Sequence, residues 1–157
     1  LPSLDSPDAQ IIRSRSRKGV GKPVGVESDG TKMLVNGVDM IEIPRVKRVA
    51  ERYGQRFFNR VYTEREQRYC RDRAPQLATR FAAKEAVMKA LGTGIRGVPW
   101  KDVEVVRRPG RAPTIALHGK AAARAERMGI DQIAVSLSHS NEFAIAFVVA
   151  ESTLPNY

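Results

Sequence analysis

The stretch Arg80-Phe81-Ala82-Ala83-Lys84-Glu85-Ala86-Val87-Met88-Lys89-Ala90 constrains the fold more than any other part of the chain. At 100° per residue, Leu77, Phe81, Met88 and Leu91 form one apolar stripe, with Lys84 in its middle. Ala78, Ala82, Ala86 and Ala90 make a second, smooth face that lets another backbone approach closely. A helix that is apolar or small nearly all round belongs in an interior. It also carries Arg80, Lys84, Glu85 and Lys89, and charges inside a protein are costly unless something pairs with them. Glu85 lies at the edge of the stripe, one turn before Lys89. A carboxylate flanked by three cations suits a metal and phosphate site. The plainer reading is an i,i+4 pair on a solvated face, worth roughly a few tenths of a kcal/mol.

The segments around this helix give an alternating order. Met33 to Ile41 reads as a short strand, with Leu34 and Val38 on one side and Val35, Gly37 and Asp39 on the other. Gly37 permits close approach of a backbone or ligand. Asp39 sits near the strand's end, where a ligand-binding carboxylate or a helix cap belongs. Ile43 to Tyr53 reads as a helix with Pro44 in its first turn and Gly54 after its end. Its outer face, with Arg45, Lys47, Arg48, Glu51 and Arg52, is basic enough to dock an acidic partner. Thr63-Glu64-Arg65-Glu66 has the capping-box form and opens a helix to about Arg71. Pro75 opens the central helix, which Gly92-Thr93-Gly94 closes, either as a stop signal or as a loop that wraps a phosphate.

Beyond it, 103–106 and 114–117 read as strands, 119–128 as an Ala-rich helix, and 133–138 with 143–149 as a hairpin across Ser140-Asn141. The order predicts an α+β fold with a largely antiparallel sheet packed against the long central helix. Residues 1–32, with Pro2, Pro7, Pro23, four turn-forming glycines and an Arg-Ser alternation at 13–17, read as a flexible N-terminal extension. The folded domain is expected over 33–157.

Composition narrows the function classes. The net charge is +10, and residues 33–157 alone keep 21 basic against 13 acidic residues. Such a surface favours acidic partners, whether nucleic acid, membrane surface, acidic protein or polyanionic small molecule. The single cysteine, Cys70, excludes an internal disulfide and makes a reducing cytoplasm the natural compartment. There is neither a signal-peptide pattern nor an apolar run of the roughly 18–20 residues that would span a membrane. Low aromatic content removes the stacking platforms of single-strand binders and argues against nucleic acid as a partner.

Among residues able to do chemistry, His118 ends an ordinary strand and reads as structural or exposed. His139 follows Ser136-Leu137-Ser138 at a hairpin tip, as a turn residue or a donor to phosphate. Zinc spacing, phosphate loop, dinucleotide fingerprint and nucleophile elbow are all missing. What remains is the carboxylate pair Asp39 and Glu85, with cations at Arg80, Lys84 and Lys89. Two hard oxygen ligands with open positions suit Mg²⁺, which takes waters and phosphate oxygens as its other ligands. That arrangement fits phosphoryl-type transfer from a polyphosphate donor.

Gly37-Val38-Asp39, then Arg80 to Ala86 with Lys89-Ala90, then Ser136-Leu137-Ser138-His139, resemble holo-acyl-carrier-protein synthases, the short AcpS-type branch of the phosphopantetheinyl transferases. The similarity runs from about Met33 to Ser152. The Phe-x-x-Lys-Glu-Ala-x-x-Lys-Ala motif is its most specific part. The resemblance implies transfer of the phosphopantetheine arm of coenzyme A to a serine of an apo acyl carrier protein, releasing adenosine 3′,5′-bisphosphate. It implies that Asp39 and Glu85 hold Mg²⁺, and that Glu85, directly or through a metal-bound water, deprotonates the serine. Lys84 and Lys89 would neutralise phosphate charge, Arg80 would join them in binding coenzyme A, and His139 would touch its nucleotide end. Arg45 would lie where the family docks its acidic carrier. The family is typically homotrimeric, and the Ala face would suit such packing. The competing expectation is a non-catalytic basic module that binds nucleic acid or a carrier protein.

Overall fold

The computed structural model describes residues 31–155, so the extension expected over 1–32 lies almost wholly outside the described residues. Strand β1 (Met33–Glu42) runs directly into α1 (Ile43–Tyr53), followed by α2 (Gln55–Val61), α3 (Glu64–Cys70) and the central α4 (Ala74–Ala90). The short α5 (Gly94–Gly97) and a 3-10 turn, Trp100–Asp102, lead into β2 (Val103–Val106) and β3 (Thr114–Leu117). Helix α6 (Gly119–Arg127) and the hairpin β4 (Ile133–His139) and β5 (Phe143–Ser152) complete the domain. The fold is α+β, and all pairings are antiparallel: a three-stranded sheet in the order β1-β5-β4 and a separate β2-β3 ribbon.

Helix α4 fills the middle, as its composition requires. Its C-terminal half joins one core cluster with Val35, Val103, Ile115, Met128 and Val148, while Leu77 and Ala78 join a second with Ile43, Val46, Val61 and Tyr62. Gly92 closes the helix at φ 66°, its N–H donating to Lys89 C=O at 3.0 Å, which fits the stop-signal reading.

The Ala face is used inside the domain. Ala78, Ala82 and Ala86 are 0% exposed and Ala90 is 1% exposed, against the sheet formed by β1 and β5. Contact there is so close that a Cβ on Gly37 would sit 1.9 Å from the Ala86 carbonyl oxygen. The face therefore serves helix-on-sheet packing and is not available to a neighbouring subunit. A row of large apolar side chains is left on the other side of the sheet. Leu34, Val38, Met40, Phe143, Ile145 and Phe147 stay 39–70% exposed there. Strand alternation produces both faces at once, since small residues point to α4 and large ones outward.

Helix α2 is absent from the sequence reading, where Gly54 marks only the end of a helix. In the structure Gly54 is a hinge at φ 52°, and the chain resumes helical geometry one residue later. Phe57 and Phe58 then pack against the second core cluster, which stabilises a segment too short to form by propensity.

Candidate active site

Asp39 and Glu85 come together because β1 crosses α4 at Gly37. With no side chain at Gly37, the strand lies on the helix backbone, and Asp39, two residues on, points to the same side. Glu85 reaches it from the last two turns of α4, and the two carboxyl groups share a hydrogen bond. Lys89, one turn after Glu85, donates to Asp39 Oδ1 at 2.9 Å and to the Val38 carbonyl at 2.8 Å. The cluster is neither sealed nor fully open. Asp39's side chain is 11% exposed and that of Lys89 is 53% exposed.

Glu85 is pushed up from 4.5 to about 7, first by burial and then by the charge of Asp39 and their shared hydrogen bond. Lys89 and Arg45 pull it part of the way back. Arg45 therefore acts on this cluster as well as lying exposed on α1. The sequence carried that signal in an unread form. Helix α1 starts at Ile43, directly at the end of β1, with its N–H on the Glu142 carbonyl at 2.7 Å. A residue six positions after Asp39 thus has little chain in which to move away.

The carboxylate pair fits a hard divalent cation. Two oxygen donors from different elements converge, and the mutual repulsion that raises Glu85 is what such an ion relieves. Among the described residues no group of three or more acidic, His or Cys side chains could hold a metal, so an ion on this pair would take its other ligands from water or phosphate oxygens.

Other expected residues are placed differently. Lys84 is 0% exposed, its ammonium donating to the carbonyls of Trp100 and Val103 and pairing with Glu66 at 2.8 Å. A lysine has three donor protons, so none remains for a phosphate; the expected coenzyme contact is corrected to a structural one. The sequence hid this because Glu66 reads as a capping-box residue, which it also is. Arg80 is 4% exposed, lies over the Tyr69 ring at 4.2 Å, and leaves its Nε without a partner. It faces α3 and does not join the carboxylates.

His139 is exposed, with Nδ1 3.2 Å from the Ser140 carbonyl. Register puts it in the row Ile41–Ala144–His139, beside the row Asp39–Ala146–Leu137, so it lies on the α4 side of the sheet two strands from β1. His118 pairs with Glu104 at 2.9 Å, in line with a structural or exposed residue. Cys70 is fully buried and its thiol is pushed up to about 11, chiefly by burial, which removes it as a nucleophile at neutral pH.

Comparison with known proteins agrees with this geometry. The profile of the 4′-phosphopantetheinyl transferase superfamily matches residues 36–148. A holo-[acyl-carrier-protein] synthase of Gloeobacter violaceus is 53% identical over 116 residues, covering 71% of this chain and 88% of its own. That of Koribacter versatilis is 47% identical over 123 residues, covering 76% and 98%. Among solved structures, the Helicobacter pylori holo-[acyl-carrier-protein] synthase in complex with coenzyme A aligns with a TM-score of 0.67 at 32% identity, covering 73% of this chain and 98% of that one. The chain belongs to the 4′-phosphopantetheinyl transferase superfamily, within its holo-[acyl-carrier-protein] synthase family.

Proposed function

We propose that this protein moves the phosphopantetheine arm of coenzyme A onto a serine hydroxyl of an apo acyl carrier protein, with Asp39, Glu85 and Lys89 as the reacting centre. The observation that carries the reading is the convergence of Asp39 from β1 and Glu85 from α4, with Lys89 2.9 Å from Asp39. The Helicobacter pylori relative, solved with coenzyme A, supports coenzyme A as the donor.

The products define the bond change. The phosphate travels with the pantetheine, so the serine oxygen attacks the pantetheine-side phosphorus. The bond from that phosphorus to the bridging oxygen breaks, and adenosine 3′,5′-bisphosphate leaves. Glu85 takes the serine proton, directly or across one water. A carboxylate held near neutrality suits that task. Lys89 holds Asp39 in place and offsets negative charge on the pyrophosphate. Mg²⁺ held by Asp39 and Glu85 would supply the rest of the charge neutralisation that phosphoryl transfer requires. His139, exposed on the same side of the sheet, is assigned to the nucleotide end of coenzyme A. The exposed Arg45, Arg48 and Arg52 of α1 receive the acidic carrier.

The assembly assigned is a homotrimer, supported by the exposed apolar side of the β1-β5-β4 sheet, a surface of the kind that marks association. Phe147→Glu should then yield monomers by sedimentation, and an unchanged mass would move the interface elsewhere. The compartment assigned is the cytoplasm, in keeping with the buried free thiol of Cys70 and a described region without a helix long and apolar enough to cross a membrane.

The test is intact-mass analysis of an apo carrier protein incubated with this protein, coenzyme A and Mg²⁺, with and without chelator. The expected result is a gain of one phosphopantetheine that the chelator abolishes. No gain with several carriers would overturn the reading in favour of a carrier-binding domain without catalysis.

A further inference from the structure

Lys84 precedes Glu85 directly, and consecutive residues of a helix project about 100° apart. The direction of one therefore fixes the direction of the other. Lys84 reaches away from the carboxylate cluster into a closed polar box, where its ammonium meets Glu66 at 2.8 Å and the carbonyls of Trp100 and Val103. Glu66 is equally enclosed at 1% exposure. Its Oε1 accepts from the Val105 N–H at 2.8 Å, and its Oε2 accepts from the Thr63 N–H at 2.9 Å as well as from Lys84. The box thus joins the N-terminus of α3, the middle of α4 and the start of β2.

The other members of the box are backbone groups held by their own elements. Neither charge can follow a rotation of α4 without losing a partner, and a buried charge without a partner is strongly unfavourable. On the far side of the helix, Gly37 presses on the Ala86 backbone and blocks sliding in the other direction. Glu85 lies between these two restraints.

We infer that Lys84 is a positioning residue: the sealed Lys84–Glu66 pair sets the rotation of α4 that turns Glu85 to Asp39. This rests on the assignment of Asp39 and Glu85 as the reacting centre. Lys84 acts through Glu85 and has no contact with coenzyme A.

The test compares Lys84→Met, Glu66→Gln and the double variant with the full chain, by thermal unfolding and by steady-state transfer to an apo carrier. Each single variant leaves one buried charge unpaired and should lose roughly 10 °C or more in Tm. The double variant should recover at least half of that loss. The amide introduced by Glu66→Gln can still accept from the Val105 N–H and can donate to a carbonyl that Lys84 vacated, while the Thr63 N–H loses its acceptor, so recovery is incomplete. In the double variant kcat should fall about 10-fold while KM for coenzyme A stays within about twofold of the wild type, the split expected when orientation is lost and binding is not.

A double variant no more stable than Lys84→Met would overturn the coupling. Recovered stability with full wild-type kcat would overturn the positioning role. A KM for coenzyme A raised about 10-fold at unchanged kcat would return Lys84 to phosphate binding. Wild-type protein without transfer activity would overturn the reaction assigned to the site, and the positioning role with it, while the thermal coupling of the pair stayed measurable.

Discussion

Lys84 and Glu85 are consecutive residues of α4, and each meets an opposite charge or a like one carried by another element. Lys84 pairs with Glu66 in a site where both side chains are 0% exposed and backbone groups fill the remaining valences. Glu85 meets Asp39, Lys89 and Arg45 at a half-open surface, where Lys89 keeps 53% of its side-chain exposure. The closed pair is complete in hydrogen bonds, though burial, outweighing Glu66, still holds the Lys84 ammonium below the ordinary lysine range. The open cluster is left unbalanced, since Glu85 is still pushed up to about 7 with two cations pulling it down. Balance and closure give rigidity and leave nothing for a ligand. Imbalance within reach of solvent leaves oxygen atoms that an ion or a proton can use. The position of a charge relative to its partners separates structure from chemistry here, and residue type does not.

The sharpest way to break that contrast is to remove charge from the open cluster alone. Glu85→Gln should lower kcat by about 10²–10⁴-fold with little change in Tm. Transfer at the wild-type rate would strip Glu85 of its role as base. Next in size is the close contact of β1 with α4. Gly37→Ala puts a methyl group 1.9 Å from the Ala86 oxygen, so β1 must lift from α4 and carry Asp39 with it. A loss of about 1–3 kcal/mol in chemical unfolding is expected, with transfer reduced alongside; a variant as stable and active as the wild type would mean that the strand register does not set the site.

Arg45 tests whether the open cluster extends to the carrier. Arg45→Ala should raise KM for the acidic carrier about 10-fold, at the lower end of what a charged interface contact is worth, and leave affinity for coenzyme A unchanged. Equal loss of both would remove Arg45 from the docking role. The smallest effect is a pH dependence in metal-free protein. Glu85 ionises near 4.5 when unfolded and near 7 when folded, so its contribution to stability is complete below 4.5 and is lost as pH rises to about 7. Tm should fall over that window, and both Mg²⁺ and Glu85→Gln should flatten the fall. A slope unchanged by either would assign the titration to another group.

Much of this was legible in the residues. The strand at 33–41, the helix at 43–53, the capping box at Thr63 and the final hairpin lie within a few residues of the observed elements, because each is specified by short-range alternation or by a local hydrogen bond. The capping box is present with both of its bonds. Asp39 and Glu85 were legible as a pair because they are the carboxylates left once other chemistries are set aside, and because the family resemblance names both. Arg80 and Lys84 were not, because the same helix presents charges on several sides and periodicity alone does not say which side meets solvent. Nor did spacing reveal that the Ala face would be used within the chain while large apolar side chains would be left outside the sheet.

The sequence by itself determined that one long helix belongs in the interior, that a strand glycine permits close approach of a backbone or ligand, and that the chain carries the motif of its family. Only the tertiary structure decided which charges on that helix are paired off and which are available. Helical periodicity places a side chain on a face. Burial, dielectric and partner count depend on what packs against that face, and those partners come from α3, β1 and β2, up to 51 residues away in the chain.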